Sequence, residues 1–252
     1  MKIAIITVAG ISSRFNEGLP EEERQLKAIY SESEPKDTLL YHLLEKCRYA
    51  DVIVLVGGYK YESLEAYCSR LGQDINDKLV LVYNEHFEDL GSGYSLYLGL
   101  KKAFEYDPEE ILFIEGDLDI DEESLNSVLD SKKSVLTYNR EPIYSNKAVV
   151  VYADSENRYK YAFNSSHGLL FIDEPFSSIM NSGQIWKFNE ISKLRSANER
   201  FIDETPGETN LRIIQNYIDQ DVEVCVIPIN RWTNCNTKSD FRKITSYWEA
   251  EK

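Results

Sequence analysis

The chain has 252 residues, of which 42% are hydrophobic, and this is enough to form one substantial core. Its 28 Lys and Arg residues are outnumbered by 43 Asp and Glu residues, so the net charge of -15 disfavours nucleic acids and anionic membranes as partners. No apolar run is long enough to span a bilayer, and the opening KIAIITVAG segment is too short for a signal peptide. We therefore expect a single cytoplasmic α/β domain, residues 1–252.

The first half of the chain alternates short apolar runs with segments of helical periodicity, which is the pattern of parallel βαβ units. It predicts strands at 2–8, 51–56, 79–83 and 110–115, and helices at 38–48, 61–71 and 92–104. The strands are almost continuously apolar, which indicates a sheet that is buried on both faces. The expected fold is α/β, with a mixed, mostly parallel, Rossmann-like sheet that is flanked by helices.

Beyond Gly116 the segments become richer in Tyr, Val and turn residues. SVLTY, KAVVVYA, YKYAF and HGLLFID predict strands that are partly antiparallel. Helices are predicted around 177–194 and 208–217, followed by a strand at 222–227 and a terminal helix from residue 239. No repeat, low-complexity linker or domain boundary is visible, so one domain remains the prediction.

The strongest local motif is TVAGISSRF, at residues 7–15, which follows the first predicted strand directly; we call it the phosphate loop. Its backbone can turn sharply and direct N–H groups at phosphate oxygens. The small residues that permit this are Ala9, Gly10, Ser12 and Ser13. Arg14 adds a fork of hydrogen-bond donors. An ordinary strand-to-helix turn is the alternative interpretation, because short motifs are weak evidence.

A second motif, ILFIEGDLDID, is an apolar strand that ends in carboxylates. An Asp at the carboxyl end of a buried strand lies in the crevice where open α/β sheets bind ligands, and it can hold Mg²⁺ against phosphate oxygens. Asp117 is the candidate for this role, and Asp119 has the same strand-face parity and could assist. Asp121 is better suited to the start of a helix. A plain turn residue is the alternative for Asp117.

On these two motifs the chain resembles nucleotidyltransferases of the sugar-nucleotide, molybdopterin-guanylyl and CTP:phosphocholine cytidylyl type, whose N-terminal signature reads roughly LAAGxGSRF. Ser12 stands where that signature has its second glycine. The resemblance covers most of the chain in order, although only the two motifs are specific. It implies a GT-A-like nucleotidyltransferase fold with a nucleotide-binding half at 1–120 and an acceptor-binding half at 121–252.

The resemblance also implies residue roles on the nucleotide side. The catalytic pair would be Arg14 and a lysine, for which Lys27 in RQLKAIY is preferred over Lys36 in PKDTLL. The segment LVYNEHFEDLGSGYSLYLGL resembles the part of the family that contacts the nucleotide, and it implies contacts from Asn84, Ser92 and Ser95. Helix capping is the alternative for Ser92.

On the metal and acceptor side, the resemblance makes Asp117 a ligand of an Mg²⁺ cofactor. The family has a second carboxylate near the C-terminus, where RWTNCNTKSDF offers Asn236, with Asp240 as the alternative. NSGQIWKF resembles a family strand that lines the acceptor pocket. The acceptor neighbours that follow from this are Ser182, Gly183 and Trp186, together with Asp119.

The implied activity is Mg²⁺-dependent transfer of CMP from CTP to a small phosphorylated amino-alcohol, amino acid or phosphonate, with release of pyrophosphate, for decoration of a cell-surface polysaccharide. A sugar-1-phosphate nucleotidyltransferase is the nearest alternative. A glycosyltransferase that uses DLD as a DxD metal motif, and a non-catalytic nucleotide-binding protein, are more distant ones. The expected partners are CTP and a small phosphorylated acceptor, without nucleic acid or membrane.

Overall fold

A computed structural model of the chain describes residues 1–33, 36–144, 148–163 and 170–250. Its strands are β1 (Lys2–Thr7), β2 (Val52–Gly57), β3 (Leu79–Tyr83), β4 (Glu110–Glu115), β5 (Leu118–Ile120), β6 (Ser134–Asn139), β7 (Val150–Asp154), β8 (Tyr159–Tyr161), β9 (Phe176–Phe188), β10 (Val224–Ile229) and β11 (Trp232–Asn234). Its α-helices are α1 (Leu39–Lys46), α2 (Tyr61–Cys68), α3 (Gln73–Asn76), α4 (Ser92–Ala103), α5 (Glu122–Asp130), α6 (Ile191–Glu204), α7 (Asn210–Ile218) and α8 (Lys238–Ala250).

The main sheet has the strand order β10-β6-β9-β4-β1-β2-β3, and β7 and β8 extend it from β9. Along this order every strand runs in the same direction except β9, which is antiparallel to both β4 and β6. β5 and β11 form a separate antiparallel pair. The carboxyl ends of the parallel strands therefore meet along one edge, where open α/β sheets bind ligands.

Alternation of side chains along the central strands creates two hydrophobic layers. On β1, Ala4 and Ile6 pack into the layer that contains α1 and α2, whereas Ile3 and Ile5 pack into the layer that contains α4, α6 and α7. A third, smaller cluster packs α8 against Phe15 and neighbouring residues. Because each strand of the centre is covered on both faces, its apolar run is nearly continuous, as the sequence predicted.

The prediction of a mixed, mostly parallel sheet flanked by helices is confirmed, and so are the strands and helices of the first half. In the second half, SVLTY, KAVVVYA and YKYAF supply β6, β7 and β8. Residues 167–169 of HGLLFID lie outside the described part, and residues 170–173 are not in a strand. No helix in the described part is long and apolar enough to cross a membrane.

The helix predicted around 177–194 is wrong. Residues Phe176–Phe188 form β9, and the helix begins only at Ile191. β9 pairs with β4, β6 and β7, so its backbone hydrogen bonds are made between strands. These long-range pairings decide the conformation of a segment whose local apolar spacing also suited a helix.

Candidate active site

The candidate site lies at the edge of the sheet where the parallel strands β1 and β4 end. The strands are paired in register up to Thr7 and Glu115, so the segments that follow them leave the sheet side by side. A Cβ added at Gly116 would lie 2.4 Å from Val8 Cγ1 and 2.6 Å from the Thr7 carbonyl oxygen, so only glycine fits there. This close approach places Asp117 next to the phosphate loop.

The phosphate loop is held in an unusual backbone conformation. Ser12 has φ 54°, which lies in the left-handed region, and this explains why a glycine suits the same position in the LAAGxGSRF signature. The buried side chain of Asn16 donates to the Ser12 carbonyl at 3.1 Å and to the Gln25 carbonyl at 2.8 Å. A Cβ added at Gly10 would meet no atom within 4 Å, so the backbone there is open to a ligand.

The hydrogen bond from Asn16 to the Gln25 carbonyl attaches the phosphate loop to the segment that carries Lys27. Lys27 thereby reaches the end of β4. Its Nζ lies 2.7 Å from Asp117 Oδ2 and donates to the Cys235 carbonyl at 2.9 Å. Lys36 lies elsewhere, over the ring of Tyr41. Of the two lysines that the sequence offered, Lys27 is therefore the one that contacts the candidate metal ligand.

Arg14 links the phosphate loop to the C-terminal segment. Its Nη2 donates to Asn236 Oδ1 at 2.6 Å. The Asn236 amide in turn donates to Asn234 Oδ1, and Asn234 Nδ2 contacts Asp117 Oδ1 at 3.3 Å. A chain of polar contacts thus runs from Arg14 to Asp117 across the end of the sheet, although the two residues are far apart in sequence.

Two cavities meet at this edge. The first has a volume of about 270 Å³ and lies between the phosphate loop and the start of α4. Six of the seven predicted nucleotide-binding residues line it, namely Ala9, Gly10, Ser12, Asn84, Ser92 and Ser95. Ser13 is exposed and lines neither this cavity nor the second one. Lys27 and Asp117 also line the first cavity.

The polar side chains on the α4 side are fixed by contacts within the protein. Asn84 Nδ2 donates to Ser95 Oγ at 2.9 Å, and Asn84 Oδ1 accepts from the His86 amide at 2.9 Å. Ser92 does not cap α4, since the N-cap position is Gly91. Its Oγ instead accepts from the backbone amide of Asn210 at 3.2 Å, and this hydrogen bond joins α4 to α7.

The second cavity is larger, about 590 Å³, and lies between Asp117, β9, β11 and α8. Acidic groups outnumber basic ones on its wall: Glu115, Asp117, Glu141 and Asp240 face Arg14 and Lys243. The rings of Tyr144 and Trp232 also line it. Asp117 and Glu115 belong to the walls of both cavities, so a ligand in either one lies close to the same carboxylates.

Glu115 is a partly buried carboxylate that lines both cavities. Burial, and after it the charge of Asp117, raises the pKa of Glu115 to about 7. Hydrogen bonds from Asn210 and Gln184 and the charge of Lys27 oppose that rise. Its two oxygens accept from Asn210 Nδ2 at 2.7 Å and from Gln184 Nε2 at 2.5 Å.

The residues at this edge suit a magnesium ion. Within the described part no three His, Cys, Asp or Glu side chains form a metal cluster. Asp117 nevertheless offers a carboxylate, and Asn234 and Asn236 offer amide oxygens, which are the hard donors that Mg²⁺ prefers. Mg²⁺ is commonly held by one or two carboxylates together with phosphate oxygens of the substrate. The metal roles of Asp117 and Asn236 remain predictions.

The structure does not bring Asp119, a predicted acceptor neighbour, to either cavity. Its side chain is 1% exposed, whereas that of Asp117 is 21% exposed. Asp119 forms an ion pair with Arg231, accepts from Trp248 Nε1 at 2.9 Å and lies 3.7 Å from Lys46 Nζ. We call these four residues the Asp119 latch. The chain changes strand between β4 and β5, so the assumed strand-face parity does not carry from Asp117 to Asp119.

The structure does not bring the predicted acceptor neighbours Trp186 and Ser182 to either cavity. Trp186 is fully buried, its ring stacks on Phe113 at 5.1 Å between centroids, and its Nε1 donates to Tyr161 Oη at 2.7 Å. Ser182 is fully buried and accepts from the Gln184 amide at 3.2 Å. An irregularity in the β6–β9 pairing changes the alternation here, and it is Asn181 and Gln184 that line the second cavity.

Three site residues escaped the sequence analysis. Glu115 could have been identified from the sequence, because a carboxylate at the end of an apolar strand occupies the same kind of position as Asp117. Gln184 has φ 55° inside β9, which sequence alternation does not reveal. Asn210 comes from the first turn of α7, nearly a hundred residues beyond Glu115, and no local pattern marks it.

Comparisons with known proteins agree with this architecture. A family model with the description "Domain of unknown function (DUF6564)" matches residues 23–248. No curated protein sequence matches the chain.

Several solved structures share the fold over nearly the whole chain. The inositol-1-phosphate CTP transferase from T. maritima is 20% identical, with a TM-score of 0.68, and the match covers 97% of this chain and 95% of that one. The CTP:phosphocholine cytidylyltransferase from Streptococcus pneumoniae is 17% identical, with a TM-score of 0.64 and coverages of 98% and 99%. A UDP-glucose pyrophosphorylase in complex with UDP-glucose is 13% identical, with a TM-score of 0.68 and full coverage of both chains (100%). The nucleotidyltransferase fold that the resemblance implied is thereby confirmed.

Proposed function

We propose that this chain, which belongs to the DUF6564 family, is a nucleotidyltransferase that transfers CMP from CTP to a small phosphorylated acceptor and releases pyrophosphate. The observation that carries the proposal is the convergence of the phosphate loop, Lys27 and Asp117 at the junction of two cavities. One cavity is lined by the first residues of the phosphate loop, and Arg14 of the same loop lines the other. This arrangement suits two phosphorylated ligands that must be joined at one point.

In the proposed reaction, a phosphate oxygen of the acceptor attacks the α-phosphorus of CTP. The bond between that phosphorus and the α–β bridging oxygen breaks, and the electron pair leaves with pyrophosphate. Arg14 and Lys27 stabilise the charge that develops on the phosphoryl oxygens, and the phosphate loop orients the triphosphate through its N–H groups. A magnesium ion at Asp117 would supply further neutralisation of the phosphate oxygens. Catalysis is then mainly positioning and electrostatic stabilisation, as in other phosphoryl transfers.

The wall of the second cavity supports an acceptor that carries an amino group. Its basic residues, Arg14 and Lys243, suit the phosphate or phosphonate end of the molecule. Glu141 and the rings of Tyr144 and Trp232 suit a cationic end, by charge and by cation–π attraction. A phospho-amino-alcohol, a phospho-amino acid and an aminophosphonate all have this character. The proposed setting is the cytoplasmic supply of activated units for a cell-surface polysaccharide.

A sugar-1-phosphate is the second candidate acceptor. The observation in its favour is the set of side-chain amides on the same wall, from Asn181, Gln184 and Asn234, which suit hydroxyl groups. A glycosyltransferase is a weaker candidate, because a DxD motif needs both of its carboxylates at the ligand and Asp119 is held in the Asp119 latch. Substrate use separates the first two candidates.

The experiment is pyrophosphate release across four nucleoside triphosphates and a panel of acceptors that contains amino-phosphates, phosphonates and sugar-1-phosphates. We expect release with CTP and an amino-phosphate or aminophosphonate, and none from the Asp117→Asn variant. Release with a sugar-1-phosphate would select the second candidate. No pyrophosphate with any combination, from a protein that binds nucleotides, would refute a transferase and leave a nucleotide-binding protein.

A further inference from the structure

Glu115 is held more firmly than any role in strand packing requires. It is the last residue of β4, two residues before Asp117, and each of its carboxylate oxygens accepts a hydrogen bond from a side-chain amide. The two donors, Asn210 and Gln184, belong to α7 and β9, so elements that are distant in sequence converge on one carboxylate. Glu115 lines both cavities, whereas Asn210 lines the first and Gln184 lines the second.

The two donors are themselves fixed. Gln184 is 8% exposed and adopts φ 55°, a conformation that costs a non-glycine residue free energy and that aims its side chain at Glu115. Asn210 is 3% exposed, and its backbone amide donates to Ser92 Oγ at 3.2 Å. Hydrogen-bonded partners of this kind orient a carboxylate.

A negative charge at this position is costly without a cation. Glu115 is partly buried and lines the same two cavities as Asp117, and the phosphates of both substrates would lie against the same edge. Lys27 also lines the first cavity, but it is engaged by Asp117 and by the Cys235 carbonyl. A divalent cation between the carboxylates and the phosphates would relieve this repulsion.

We propose that Glu115 is the second carboxylate that holds the divalent cation, together with Asp117. This inference rests on the proposed function. With Glu115 as a ligand, the metal has two carboxylates although the C-terminal segment offers only an amide. That amide belongs to Asn236, whose oxygen accepts from Arg14 and adds no negative charge. Asn210 and Gln184 are then positioning residues, which hold the Glu115 carboxylate in place for the metal.

The test is a titration of the whole protein with Mn²⁺, with free Mn²⁺ followed by electron paramagnetic resonance. It is run with the metal alone and again with CTP present but no acceptor, so that no turnover is needed. The variants are Glu115→Gln, Asp117→Asn and Gln184→Gly, the last of which keeps both carboxylates and is compatible with φ 55°. Glu141→Gln, a change to another acidic residue of the second cavity, is the matched control.

We expect Glu115→Gln and Asp117→Asn each to weaken Mn²⁺ binding at least ~10-fold, and Gln184→Gly to weaken it by a similar factor through lost orientation of Glu115. Glu141→Gln should bind as the wild type does. If Asp117→Asn weakens binding while Glu115→Gln and Gln184→Gly leave it unchanged, Glu115 is not a ligand and the proposed function stands. If the wild type binds no Mn²⁺ with or without CTP, the metal dependence of the proposed function fails as well. Melting curves of each variant separate lost binding from lost folding.

Discussion

Asp117 and Asp119 are two residues apart and lie in opposite surroundings. Asp117 is at the junction of the two cavities, paired with Lys27 at 2.7 Å and still partly exposed. Asp119 is buried in the Asp119 latch, where Arg231, Trp248 and Lys46 surround it. One region leaves a carboxylate available to a ligand, and the other uses a carboxylate to attach β11 and α8 to the centre of the molecule.

The difference shows that partners and exposure decide the role of a carboxylate. The latch joins Asp119 of β5 to the C-terminal segment that also carries Asn234 and Asn236. Asp119 thus supports the site from behind, while Asp117 can act in it. A buried ion pair of this kind is sensitive to the loss of one partner, because the remaining charge stays buried and uncompensated.

The largest effect on activity is expected from Asp117→Asn. The substitution removes the charge that would hold the metal, which corresponds to several kcal/mol of transition-state stabilisation, and we expect kcat/KM to fall at least ~10³-fold. The side chain is partly exposed, so the melting curve should not change by much. Steady-state kinetics at saturating Mg²⁺ measure this, and a variant with near wild-type activity would remove Asp117 from the site.

Asp119→Asn should have the opposite effects, a large loss of stability and a small loss of activity. It removes the charge of the buried carboxylate that pairs with Arg231 and Lys46, and we expect a loss of about 3 kcal/mol in the free energy of unfolding. Activity per folded molecule should fall far less than in Asp117→Asn. Urea unfolding and kinetics on the same preparation give both numbers. A stable but inactive Asp119→Asn protein would contradict the latch and favour the DxD interpretation.

Arg14→Ala tests the phosphate-loop side of the comparison. Loss of one preorganised donor is expected to lower kcat/KM by ~100-fold. Arg14 is exposed, so stability should stay the same. Arg200→Ala is the matched control, because Arg200 is an exposed arginine that pairs only with its helix neighbour Glu204 among the interactions described. Equal activity of the two variants would show that Arg14 is not part of the site.

The smallest effect is expected from Asn236→Asp, which adds a carboxylate near Asp117. The Mg²⁺ concentration for half-maximal rate should fall a few-fold, the scale of ~0.5–1 kcal/mol for a partly exposed charge pair. Asp240→Asn is the comparison, because Asp240 Oδ2 accepts from the Asn236 and Thr237 amides at the start of α8. It should lower stability and leave the Mg²⁺ titration unchanged. An unaltered titration in Asn236→Asp would restrict Asn236 to its contacts with Arg14 and Asn234.

The parts of the site that the sequence predicted are those that follow a strand directly. The phosphate loop and Asp117 come immediately after β1 and β4, whose apolar runs identify them, and Lys27 was selected by resemblance. Gln184 and Asn210 could not be predicted, since their roles depend on a left-handed residue inside β9 and on a contact between α7 and β4. Trp186 and Asp119 lie away from both cavities for a related reason, because an irregular pairing and a change of strand interrupt the alternation that the prediction used.

The central claim is that the two cavities bring a nucleoside triphosphate and a phosphorylated acceptor together at Asp117. Phosphorus-31 NMR of the wild-type protein with CTP, Mg²⁺ and an aminophosphonate or amino-phosphate tests it directly. The account predicts equal amounts of pyrophosphate and of a new product in which two phosphorus atoms are joined through one oxygen. Formation of inorganic phosphate without such a product, or an unchanged spectrum across the whole acceptor panel and all four triphosphates, would contradict it.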